Sequence, residues 1–70
     1  MEEYGRKHVL FEGAECIRET EKGILVRLPD HDEEVWLAKS QLHDDSDVYS
    51  HGDTGNLIVS RWMAEQKDLL

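Results

Sequence analysis

Residues 23–39, GILVRLPDHDEEVWLAK, decide the fold. Ile24, Val26 and Leu28 fall on one face by period-two alternation, with Leu25 and Arg27 on the other. Pro29 stops the run, because it has no N–H to give to a ladder. The PDHDEE that follows is rich in residues that bond their own backbone, which makes it a turn. A second alternating run, EVWLAKSQL, sets Val35 and Leu37 against Trp36 and Ala38. Two such runs around a polar turn predict an antiparallel hairpin.

Outward from the hairpin, the upstream segment HVLFEGAECIRET reads as a weaker strand over 8–12 and a better one over 14–20. Gly13 between them marks a bulge or bend. ETEKG is a short polar connection into the hairpin, and residues 1–7 read as a loose lead-in. Downstream, 43–56 reads as a loop with one helical turn near Asp45–Tyr49, followed by a strand at Leu57–Val59. Ser60 is a good N-cap for a short helix over Arg61 to Lys67, and Leu69 or Leu70 closes it onto the body. Such a helix is too short to stand alone and has to dock on the sheet. The expected architecture is therefore one small domain over 1–70, mainly β with one short C-terminal helix. Its sheet is antiparallel and strongly bent, or barrel-like in the manner of SH3 and OB domains.

Sixteen Asp and Glu against eight Lys and Arg leave a net charge of −8, and no basic run exceeds two residues. Binding a polyanion relies on Lys and Arg displacing condensed counterions, so direct nucleic-acid binding is disfavoured. An anionic membrane surface is disfavoured for the same reason. A chain of 70 residues buries only roughly 60% of its unfolded surface, which leaves little material to wall off a catalytic cleft. Cys16 is the single cysteine, so an internal disulfide is impossible and a reducing compartment fits. The N-terminus lacks a signal-peptide pattern, and the longest apolar run is Ile24-Leu25-Val26. The expectation is a cytoplasmic, non-enzymatic protein.

The stretch SQLHDDSDVYSHGD, residues 40–53, holds two histidines and four aspartates. His43, Asp45, Asp47 and His51 offer ligands to a metal, yet the spacing misses the calcium-loop pattern and provides no paired zinc ligands. The simpler reading is loop structure: Asp44, Asp45 and Ser46 cap backbone N–H groups while Val48 and Tyr49 tuck under the sheet. No nucleophile elbow, phosphate loop or zinc-protease motif is present, no cofactor is implied, and a lone Cys16 reads as a small core residue. Of the two tryptophans, Trp62 is assigned to the core because it opens the docked helix. Trp36 has two readings. If Val35 and Leu37 are buried, it stands on the outer face as a binding anchor; a closed barrel would instead take it inside.

The stretches IRETEKGILVRL, EVWLAKSQLHDDSDVY and GDTGNLIVSRWMAEQKDL together resemble a family of small, mostly uncharacterised proteins of bacteriophages, prophages and bacterial genomes. Its pattern runs ETEKAILV, then VWIPKSQIHDDSEVY, then LVVxxWxA. The resemblance covers about residues 17–70 and departs at Gly23, Ala38 and Asp68, where Ala, Pro and Gly are usual. No activity comes with the pattern. What it implies is context: short acidic phage proteins commonly bind a host protein, and some imitate a nucleic-acid backbone. The leading expectation is therefore a protein-binding module of phage or mobile-element type, monomer or weak dimer. Trp36 would be its anchor, with Asp30, Asp32, Glu33, Glu34, His43, Asp44, Asp45 and Asp47 as its acidic rim. A sharper form is an inhibitor of a host nucleic-acid-handling protein, anti-CRISPR-like. The alternatives are a nucleic-acid-binding small barrel using Trp36, Lys39, Arg27 and Arg18, and a metal-binding regulator using His43, Asp45, Asp47 and His51.

Overall fold

The computed structural model describes residues 1–70. Five strands form one antiparallel sheet: β1 (Glu2–Tyr4), β2 (His8–Glu19), β3 (Gly23–Arg27), β4 (Val35–Ala38) and β5 (Thr54–Ser60). A single 3-10 turn, Lys39–Gln41, follows β4, and one helix, α1 (Arg61–Gln66), follows β5. The strands run in the order β1-β2-β3-β4, with β5 also paired to β2. No ladder joins β4 to β5, so the sheet is mainly β with one short helix, as expected, and it is not a closed barrel.

The long strand β2 organises the rest. Val9 and Phe11 point inward, and so do Ala14 and Cys16, a change of parity that needs one extra residue between them. That residue sits at Glu12–Gly13, where the register against β5 shifts and Gly13 adopts φ +71°. The position wants glycine, since left-handed backbone is unfavourable for residues with a Cβ. A second shift, between Cys16 and Arg18, occurs against β3. Bulges bend a strand and raise its twist, which lets one strand serve β1 and β5 at one end and β3 at the other.

Inside lies one apolar cluster. Ile24, Val26 and Leu28 from the hairpin meet Leu37, Leu57, Val59 and Val48, all essentially sealed from solvent. Ser60 caps α1 by accepting the Met63 N–H at 3.1 Å, and Met63 and Ala64 face the core. Leu69 closes onto the same cluster.

Four local expectations are corrected. The first residues are not loose: Glu2, Glu3 and Tyr4 pair with Leu10, Val9 and His8. The strand expected to run through Leu42 stops at Ala38, and the stretch 43–53 contains turns and bends but no helical turn near Asp45–Tyr49. Trp62 is not core; it is 58% exposed. Met63, four residues after the inward-facing Val59, takes the place against the sheet, and its neighbour Trp62 is rotated about 100° away.

Candidate functional site

The histidine- and aspartate-rich loop resolves into backbone bookkeeping. Leu42 bridges Val59, His43 N–H donates to the Ile58 carbonyl at 2.9 Å, and Asp47 N–H donates to the Asn56 carbonyl at 2.7 Å. Buried Ser46 accepts the Ile58 N–H at 3.0 Å through its hydroxyl. Residues 42–47 thus lie along β5 and cover its outer edge, satisfying groups that would otherwise template another chain. The Asp47 carboxylate accepts the Asn56 N–H at 3.1 Å. The Asp53 carboxylate accepts the N–H groups of Tyr49 and Ser50 at 3.0 and 2.9 Å, and these bonds hold its carboxyl below the usual carboxylate range. Val48 is sealed in the core, as a tucked loop residue should be.

The rest of the loop leans on β1. Tyr4 donates its hydroxyl to Asp45, and the same hydrogen bond, more than its desolvation, raises the Tyr4 pKa. The His43 ring stands edge-on to Tyr4 and to His8, with centroids 5.1 and 4.8 Å away. His43 Nδ1 accepts the Asp45 N–H at 3.0 Å and lies 3.8 Å from the Asp45 carboxylate. Tyr49 donates to the His43 carbonyl, and burial raises its own pKa. His43, Asp45, Asp47 and His51 do not converge. Asp47 is committed to Asn56, His43 to the β1 side, and His51 lies elsewhere, beside Glu19 and Trp36. No three such side chains in the structure are gathered as a metal would require.

The surface around Trp36 is different in kind. Leu37 is sealed in the core, so its neighbour Trp36 projects from the opposite side of β4, 44% exposed. Register places Trp36 directly across from Leu25, which is buried although it lies outside the main core cluster. Cross-strand neighbours on one face are the contact pairs of a sheet. The indole forms a ridge between two shallow grooves. One is lined by Ile17, Arg18, Glu19, Thr20 and His51; the other by Leu25, Arg27, Pro29, Asp32, Glu33 and Glu34.

Of the cations here, Arg18 lines the first groove without an ion pair, whereas Arg27 and Lys39 are engaged. Arg27 contacts Glu34 at 3.0 Å and Glu15 at 3.5 Å, and Lys39 contacts Glu19 at 2.6 Å. The Lys39 bond, with a second from the His51 N–H, holds the Glu19 carboxyl low. A polyanion would have to displace these carboxylates from Arg27 and Lys39, which weighs against the nucleic-acid alternative. Exposed ion pairs of this kind contribute little stability.

The expected rim is therefore divided. Asp32, Glu33 and Glu34 share a groove with Trp36, whereas Asp30 lines an adjoining hollow with Phe11, and His31 borders both. His43, Asp44, Asp45 and Asp47 belong to the strip along β5, which pairs with β2 and not with β4. Sequence reasoning missed Ile17, Leu25 and His51 as neighbours of Trp36. His51 reaches the site because Gly52 N–H and Cys16 N–H bond across to the Cys16 and Asp53 carbonyls, both at 2.9 Å, a pairing with no local signature.

Cys16 is fully buried, and desolvation, ahead of every other influence, raises its thiol pKa, so it is not an activated nucleophile. No helix is long and apolar enough to cross a membrane. Comparison with family models, with curated proteins and with solved structures finds no match to this chain.

Proposed function

We propose that the protein is a non-enzymatic protein-binding module whose working surface is the Trp36 face. A single observation carries this reading: a tryptophan nearly half exposed on a sheet face, ridged between two grooves and bordered by Asp32, Glu33 and Glu34. An exposed indole offers a large rigid contact area of the kind that dominates binding energy at interfaces. Carboxylates around it favour a basic partner, because they attract Lys and Arg and the indole face adds cation–π attraction. With a net charge of −8, the chain suits the positively charged surface of a protein that handles nucleic acid. The resemblance of residues 17–70 to a phage and prophage pattern supports a host protein as that partner, met in the cytoplasm. An inhibitor of an anti-CRISPR-like kind is the sharpest form of the proposal.

The test is capture from nuclease-treated host lysate with tagged wild type and with Trp36→Ala. One stoichiometric protein retained by the wild type and lost by the variant is the expected result. Capture that ignores Trp36, or recovery of nuclease-sensitive material alone, contradicts it.

A further inference from the structure

The fold treats its two long sheet edges unequally. Residues 42–47 cover the outer edge of β5, whereas nothing pairs with the outer edge of β4. The phase of that edge follows from the ladder. Lys39 N–H donates to the Lys22 carbonyl at 2.8 Å, and Gly23↔Ala38, Ile24↔Leu37 and Leu25↔Trp36 continue the register. Antiparallel ladders alternate hydrogen-bonded and non-hydrogen-bonded pairs. Leu37 and Val35 therefore bond to β3, while the N–H and C=O of Trp36 and the N–H of Ala38 point away from the sheet. None of these three groups has a partner among the remaining backbone or side-chain hydrogen bonds. The residue with the exposed anchor side chain is thus the residue with the free backbone donor and acceptor.

From this we infer that the Trp36 face takes its partner by strand addition: an extended basic segment pairs with β4 through Trp36 and Ala38. The inference rests on the protein-binding reading above and names the partner's chemistry. Main-chain bonds to an exposed edge give such complexes their affinity, and alternate side chains give specificity. Every second side chain of the added strand would lie on the outer face, beside the indole and toward Glu19 on one side or Asp32, Glu33 and Glu34 on the other. Arg or Lys there meets the indole and the unpaired carboxylates of Asp32 and Glu33. A second copy of this chain is a poorer occupant. It would bring its own Asp32–Glu34 and another net charge of −8 to the same edge, and its Lys39 is already bound to Glu19.

The probe is a short acetylated peptide alternating arginine and valine, titrated into Trp62→Phe protein so that emission reports Trp36 alone. Expected are saturable binding, slowed exchange of the Trp36 and Ala38 amides, and loss of binding when alternate peptide amides are N-methylated. Ala38→Pro is the decisive variant. Ala38 has φ −71°, which proline adopts, and its N–H makes no bond to β3, so the substitution removes an edge donor while sparing the ladder. It should keep the melting temperature and weaken the peptide about tenfold, the scale of one lost hydrogen bond. Binding that survives both N-methylation and Ala38→Pro overturns strand addition but leaves the Trp36 face as a binding surface. No binding of the peptide overturns the basic-strand partner, and lysate capture with Trp36→Ala then judges the broader reading separately. Protection of Trp36 and Ala38 in the free protein, rising with its concentration, would make a second copy the occupant and also overturn the inference.

Discussion

The 43–53 loop and the Trp36 face carry the same kind of residues and use them in opposite ways. In the loop, Asp47 and Asp53 spend their carboxylates on backbone N–H groups of Asn56, Tyr49 and Ser50, and Asp45 takes the Tyr4 hydroxyl. Around Trp36, Glu34 and Glu19 are held by Arg27 and Lys39, but the Asp32 and Glu33 carboxylates have no partner in the fold, and the indole they border is left in solvent. Acid density alone would rank the loop first. Hydrogen-bond accounting reverses that order, because a group already satisfied within the fold has little left to offer a partner.

The comparison can be broken most forcefully at the buried anchors. Val48→Ala should destabilise the domain by about 2 kcal/mol, since it hollows a sealed site under the loop. Trp36→Ala should cost less, about 1 kcal/mol, because it uncovers part of Leu25 without opening the core. Chemical denaturation of both variants checks the order; a larger loss at Trp36 would make that residue structural rather than functional.

A smaller effect separates the acids. Asp53→Asn should lower the melting temperature, whereas Glu33→Gln should leave it unchanged, because only the first carboxylate holds backbone. Acid sharpens the same contrast. Glu19 and Asp53 both titrate below the ordinary carboxylate range in the folded state, Glu19 chiefly through Lys39 and Asp53 through the Tyr49 and Ser50 N–H groups. A lowered folded pKa means that the unfolded chain binds the proton more tightly. Their stabilisation is thus complete above the ordinary value of about 4 and is lost as the pH falls through the folded values. Melting temperatures from pH 6 down to pH 3 should fall less steeply for Asp53→Asn than for the wild type.

The smallest effect lies outside both regions. Asp68 ends α1 with φ +58°, a left-handed conformation that glycine adopts more readily. Asp68→Gly should stabilise the protein by about 1 kcal/mol, read from denaturant midpoints, and leave partner binding untouched.

How far the sequence could be read depends on how local each signal is. The 23–39 hairpin was legible because alternation and Pro29 act within a few residues, and Gly13 and Ser60 announced a bulge and a cap for the same reason. Strand β1 was not legible. Glu2 and Glu3 carry no apolar alternation, and their pairing with Leu10 and Val9 is a tertiary event. Trp62 went the wrong way because a helix of six residues has no periodicity with which to choose its inward stripe. At the candidate site, the two readings of Trp36 could be separated only once Leu37 was placed in the core. Its neighbours Ile17 and His51 arrive through a register shift and a loop pairing that no short window encodes.

The most direct test of the account is a pair of charge reversals assayed against the captured partner, with melting temperatures as the control for folding. Glu33→Lys with Glu34→Lys changes the Trp36 face; Asp44→Lys with Asp45→Lys changes the loop. The account predicts that the first pair abolishes capture at an unchanged melting temperature, while the second leaves capture intact. Capture lost only with the loop pair would contradict it and move the working surface to the strip beside β5.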